Sequence, residues 1–276
     1  TMRPALRPGS KRHFAMARNV GEALGVGATL NFFDAQGKPL QGDARYPSSV
    51  RVRDLHKIEE TLQLLKAPEW PQELLGPIDM PLAAQGRALF VENCAGCHVP
   101  NVVQGPDRPV QHLNMLPVKV IGTDPGTANN IADHRFDLTS LQWNPAELAK
   151  LDVQLHPTPT TPLDLSQVSV AKGLAYVTAF VEERAYRDAG VTPLERPALD
   201  GFGLPIGVRE LRAYKARPLA GVWATPPFLH NGSVPTIYQL LSPQDERAIT
   251  FYKGSFEYDP RHLGYRTEAF TNGFLF

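Results

Sequence analysis

Apolar residues recur along this chain mostly at helical intervals. Between residues 52 and 66, Leu55, Ile58, Leu62 and Leu65 fall three or four apart, predicting an amphipathic helix that Pro68 prevents from continuing. Asp79 is placed to cap a further helix with Pro81 in its first turn, and Leu82, Leu89 and Phe90 give it an apolar stripe. Residues 145–154 and 166–187 read as two more helices; in the second, Val170, Leu174, Val177 and Val181 keep the same period. Shorter signals suggest a helix at 15–24, extended chain at 29–33 and a short helix at 235–241. Prolines 100, 106, 109 and 117 predict an irregular loop after residue 98, and 157–162 reads as a linker or surface loop. There is no internal repeat and no low-complexity tract. The pattern specifies a mainly α fold with long irregular loops and little β structure.

The helix that starts after Asp79 runs into Cys94-Ala95-Gly96-Cys97-His98, which holds every cysteine in the chain. Two thiols three residues apart on a helical turn share a face, so both can form thioethers with the vinyl groups along one porphyrin edge. The adjoining His98 is then the proximal iron ligand. Competing chemistries fit less well. A structural zinc site needs four ligands and would require two histidines here, one of them fixed beside Cys97. A thioredoxin-like dithiol follows a strand rather than a helix, and a disulfide across three residues is strained and leaves His98 without a role. These residues point to one covalently bound haem c in a cytochrome c-like domain.

Composition narrows the class. The 276 residues are 42% hydrophobic, enough for one large or two ordinary cores, and carry no net charge, which gives no support to nucleic-acid or anionic-membrane binding. No apolar run reaches membrane-spanning length. The 26 prolines and 22 glycines predict long connections. We divide the chain into a loop-rich segment, 1–76, read as the remainder of a preceding region, and a c-type haem domain with long insertions, 77–276. Both ends read as cut: Thr1-Met2-Arg3-Pro4 lacks the features of a signal sequence, and the chain stops on Phe274-Leu275-Phe276.

Haem iron with one histidine needs its opposite position settled, because a second protein ligand favours electron transfer and an open position admits oxygen or peroxide. Met115 and His230 are the candidates for the sixth ligand; each also has an ordinary structural role to weigh against it. His112 suits a propionate or backbone partner better, and His13, His56, His134, His156 and His262 default to solvated or turn positions. Haem propionates demand donors, for which Arg217 is the first candidate; Trp223 and Phe228 are candidates to pack on the porphyrin.

The segment from Arg217 through Trp223, Phe228, His230-Asn231-Gly232-Ser233-Val234-Pro235 and on to residue 241 resembles the second haem domain of the di-haem cytochrome c peroxidase superfamily, above all its rubber-oxygenase-like branch. Arg18-Asn19-Val20-Gly21-Glu22-Ala23-Leu24-Gly25, Ile121-Gly122-Thr123-Asp124-Pro125 and Lys253-Gly254-Ser255-Phe256-Glu257-Tyr258-Asp259-Pro260 resemble further blocks of that branch, so the likeness spans nearly the whole chain. The resemblance implies a periplasmic protein with two haems, each in its own mostly helical domain. This chain departs from it by having one haem motif. By position, His98 matches the proximal ligand of the second haem, which in such proteins relays electrons while the first haem meets peroxide or oxygen. The resemblance also implies a ligating histidine downstream of Asn272-Gly273-Phe274, and the chain has none there.

The expected function is therefore electron transfer within a di-haem peroxidase- or oxygenase-like oxidoreductase, with a first haem domain outside this chain, or another redox protein, as partner. The alternatives are a stand-alone mono-haem electron carrier and a five-coordinate gas-binding haem protein. Haem attachment to such a motif places the protein in the periplasm.

Overall fold

The computed structural model describes residues 15–104, 109–155, 164–200, 212–229 and 231–276. In chain order its helices are α1 (Ala15–Val26), α2 (Val52–Leu62), α3 (Gln72–Leu75), α4 (Met80–Asn93), α5 (Ala95–His98), α6 (Val118–Ile121), α7 (Gly126–Asp133), α8 (Pro145–Leu155), α9 (Val170–Asp188), α10 (Arg196–Leu199) and α11 (Ile237–Leu241). Among the described residues the strands pair only two by two. They are β1 (Asn101–Gln104) with β2 (Pro109–His112), β3 (Asn114–Pro117) with β6 (Ala213–Ala216), β4 (Arg135–Phe136) with β5 (Val168–Ser169), β7 (Tyr252–Lys253) with β10 (Phe274–Leu275), and β8 (Tyr258–Asp259) with β9 (Gly264–Tyr265). The fold is mainly α with little β structure, as the periodicity predicts.

The chain divides into two compact units, each discontinuous: Thr1–Leu65 with Val102–Lys215, and Lys66–Asn101 with Ala216–Phe276. In the first, α9 is the central element. Its start is fixed by Ser169, whose hydroxyl accepts from the Lys172 amide at 3.3 Å. Val181 and Tyr176 of α9, Val20 and Met16 of α1, Val52 of α2 and Leu148 of α8 are buried together. Each apolar side chain of that size stabilises the fold by about 1.5–3 kcal/mol when fully buried. Helix α1 lies close on α9: a Cβ at Gly21 would sit 3.3 Å from the Thr178 hydroxyl oxygen. Trp143 and Phe180 pack at 5.5 Å between ring centroids, and the Trp143 indole N–H donates to the Tyr46 hydroxyl.

Three expectations are corrected here. Helix α2 stops at Leu62, not residue 66, and Ile58 and Leu62 are exposed by more than half; only Val52 is buried, so its N-terminal turn does the packing. Helix α9 begins at Val170 rather than 166, because the Asp164 carboxylate accepts from the Ser166 amide and hydroxyl in a tight turn and Val168–Ser169 then pair as a strand. Burial also departs from the expected stripe: Leu174 lies half exposed although Val181, seven residues further along it, is fully buried, and Tyr176, off the stripe, is fully buried. Lastly, the stretch after His98 forms β1, β2 and β3 instead of an irregular loop. The linker expected at 157–162 lies outside the described residues.

The second unit is built differently. Asp79 caps α4 as its sequence predicts, the carboxylate accepting from the Leu82 amide at 2.9 Å. The other part of this unit is a set of short hairpins whose buried members include Phe228, Val234, Thr236 and Phe251. Gly264 is pressed against Thr236 so closely that any Cβ there would collide with the Pro235 carbonyl and the Thr236 backbone.

Candidate haem site

Helix α4 delivers the five-residue motif through one continuous turn. The Cys94 amide donates to the Phe90 carbonyl at 2.9 Å, and the amides of Cys97 and His98 both donate to the Cys94 carbonyl, at 3.1 and 2.9 Å. The turn thus keeps the cysteines on one face. Neither cysteine is in a disulfide, and both are half-buried.

The His98 ring is held from behind. Its Nδ1 lies 2.8 Å from the Arg217 carbonyl oxygen, 119 residues away in sequence. A carbonyl only accepts, so Nδ1 carries a proton, which leaves Nε2 on the other edge of the ring as the atom that can ligate a metal. This is the arrangement that orients an imidazole for a metal and raises its basicity. Arg217 therefore serves the site through its backbone, a role its side-chain chemistry does not announce, while its guanidinium is exposed.

The surroundings suit a porphyrin. Helix α4 buries none of its 14 residues, and Leu82, Leu89 and Val91 are each exposed by more than 60%. Val99, just beyond the motif, is half exposed too. A helix that leaves Leu82 and Leu89, seven residues apart on one face, outward beside two thiols and an aimed imidazole has the lining a flat apolar group would cover. Among the described residues, no three His, Cys, Asp or Glu side chains gather as metal ligands, which gives the zinc alternative no support.

Trp223 is half-buried and packs edge-to-face with Trp70 at 5.1 Å and Tyr258 at 6.1 Å between ring centroids; Trp70 and Tyr258 are 6.4 Å apart. Trp70 donates its indole N–H to the Gly76 carbonyl at 2.8 Å, and Tyr258 its hydroxyl to the Trp223 carbonyl, also at 2.8 Å. Burial, reinforced by the Asp259 and Tyr265 charges, pushes the Tyr258 phenol up to about 12. Sequence reasoning singled out Trp223 but missed Trp70 and Tyr258, which carry no periodic signal and meet it only in three dimensions.

The remaining candidates are distributed as follows. Met115 stands on β3 in the first unit, 40% exposed. His230 and the side chain of His112 lie outside the described residues, as do His13 and His156. His134 and His262 serve turns: their Nδ1 atoms lie 2.9 Å from the Asn130 carbonyl and 2.6 Å from the Asp259 carboxylate. His56 approaches Glu60 at 3.5 Å on α2.

The profile of a family described as RoxA-like, cytochrome c-like matches residues 213–253, the stretch that contains the Arg217 carbonyl, Trp223 and the hairpin leading to β7. The match supports a haem-binding, cytochrome c-like domain and a relationship to the rubber-oxygenase-like cytochromes. The chain is also 35% identical to the uncharacterized protein y4iJ of Sinorhizobium fredii (strain NBRC 101917 / NGR234), over 95% of its own length and 44% of that protein's. With y4iM of the same organism the identity is 29%, over 86% of this chain and 44% of the relative. The chain thus spans less than half the length of these two curated relatives. No solved structure matches it. No helix among the described residues is long and apolar enough to cross a membrane.

Proposed function

We propose that this chain is an electron-transfer domain carrying one covalently bound haem c, the relay half of a di-haem peroxidase- or oxygenase-like oxidoreductase of the periplasm. The observation that carries the proposal is the pairing of two thiols on one helical turn with an imidazole whose Nδ1 is already engaged by the Arg217 carbonyl. Bound there, haem supplies a one-electron iron couple. Cys94 and Cys97 tether it through thioethers. His98 offers Nε2 as proximal ligand, and the Arg217 carbonyl fixes the tautomer and ring plane so that ligation requires no reorientation. Leu82 and Leu89, on one face of α4, would exclude water from the porphyrin, and the Arg217 guanidinium would serve as a donor to a propionate. Of the two sixth-ligand candidates, His230 belongs to the unit that carries the motif.

Two measurements test this. Intact mass after expression in a host that matures c-type cytochromes should exceed the chain mass by one haem, and a bare chain mass overturns the proposal. Low-temperature electron paramagnetic resonance of the oxidised protein should show low-spin iron; purely high-spin iron would contradict the relay role and favour a gas-binding haem protein. His98→Ala should abolish the histidine-ligated spectrum, and its survival would remove His98 from the iron.

A further inference from the structure

Trp70, Trp223 and Tyr258 are more than a small core, because they are joined to the imidazole of the haem site by the same stretch of backbone. The His98 ring bonds the Arg217 carbonyl, and Trp223 follows Arg217 by only six residues. That stretch is folded rather than extended. The Val222 amide donates to the Leu219 carbonyl at 3.1 Å and the Ala224 amide to the Gly221 carbonyl at 3.0 Å, so the span falls well short of the roughly 20 Å that six extended residues reach. Gly221 is also packed on the segment that carries Trp70: an added Cβ there would lie 2.8 Å from Pro68 and 3.3 Å from Ala67. Tyr258 closes the cluster by donating to Trp223's own carbonyl. Each aromatic pair lies between 5.1 and 6.4 Å, centroid to centroid.

Indole and phenol rings are the most readily oxidised side chains that this cluster holds, and three in mutual contact delocalise the path of a single charge. We propose that Trp223, Trp70 and Tyr258 form a route for single oxidising equivalents on the histidine side of the haem site, with Trp223 nearest the haem and Trp70 and Tyr258 leading to the surface. The inference rests on the haem reading above and deepens it by naming the route that an electron takes through this unit. At the indoles the elementary step breaks no covalent bond. A one-electron oxidant at the surface takes an electron from a ring of the cluster, and that ring takes one from ferrous iron, which becomes ferric. Where Tyr258 is the ring oxidised, its phenolic proton goes to water and returns on reduction; the high pKa imposed by burial makes this the slower branch.

The test uses the haem-loaded, ferrous protein with a photogenerated ruthenium(III) polypyridyl complex as the oxidant and a cobalt(III) ammine as the acceptor that generates it. Transient absorption should show an indole radical whose decay coincides with haem oxidation, at a rate independent of ruthenium concentration. Trp223→Phe, which keeps an aromatic packing partner, should lose that concentration-independent phase while retaining its haem mass. Trp143→Phe, in the core of the first unit, should keep it. Trp70→Phe with Tyr258→Phe should lower the radical yield and leave the phase. The proposal is overturned if Trp223→Phe retains the phase, or if haem oxidation in the unaltered protein is governed by ruthenium concentration alone. Failure of the haem reading is separately visible, since a chain lacking haem mass would form the radical with no haem absorption to follow it.

Discussion

Glu182 on α9 holds a proton that an exposed glutamate would have lost. Burial is the larger cause, the negative charge of Asp200 the next, and together they push it up to about 8 against the partial relief given by Arg196. Asp200, raised by its own burial, accepts from the Tyr186 hydroxyl at 2.8 Å, and Arg196 spans Asp200 and Glu183. A folded-state pKa above the unfolded one means that the native chain binds the extra proton. Its contribution to stability is full below about pH 4.5 and is lost as pH rises through 8. Glu182→Gln keeps the size and hydrogen-bonding capacity without the titration. The variant should match the unaltered protein in thermal midpoint near pH 5 and exceed it by several degrees at pH 9, read by calorimetry. Identical pH slopes would show that Glu182 is not the titrating group. Gly264 gives a second residue-scale expectation. Gly264→Ala forces a methyl into the Pro235 carbonyl and the Thr236 backbone, and overpacking of this kind costs about 1–3 kcal/mol. Denaturant titration should place that loss in the second unit; an unchanged midpoint would mean that the hairpin gives way without strain.

At the scale of elements, the sequence was legible where one residue controls a local decision. Asp79 with Pro81 marks the start of α4, and the folded carboxylate caps it; Asp79→Ala should cost about 1 kcal/mol of stability, measured by denaturant titration. The motif at Cys94 to His98 was equally plain, since its spacing carries the chemistry. Periodicity proved weaker for deciding which face is buried. Leu174 keeps the apolar period of α9 yet stays half exposed while Val181, seven residues on along the same stripe, is buried, and Tyr176 on the other side of the helix is buried too. What could not be read at all were contacts made by backbone across long separations. The Arg217 carbonyl reaches His98 from 119 residues away, and a carbonyl has no signature in sequence. The aromatic cluster was hidden for the same reason: Trp70 stands among prolines, and only the fold brings it to Trp223 and Tyr258.

On the scale of the whole molecule, the two units differ in what holds them together. The first has its own core: fourteen buried residues from α1, α2, α8, α9, α10 and the chain between them form one continuous cluster, and none of them belongs to the second unit. Among the described residues of the second, those buried are Ala216 and a few in the short hairpins from Phe228 to Gly264, and the helix that carries the motif contributes none. If haem supplies the missing apolar partner for α4, the stability of the second unit is tied to the cofactor and that of the first is not. Replacing Cys94 and Cys97 by alanine together with His98→Ala removes both tethers and the ligand. Hydrogen exchange of this triple variant should then show faster exchange along α4 and the hairpins from Val234 to Gly264, with α1 and α9 keeping the protection they have in the haem-loaded protein. Equal protection of α4 with and without haem would mean that the exposed face of Leu82 and Leu89 is covered by something other than the porphyrin. Loss of protection in both units together would mean that the core around α9 does not stand on its own.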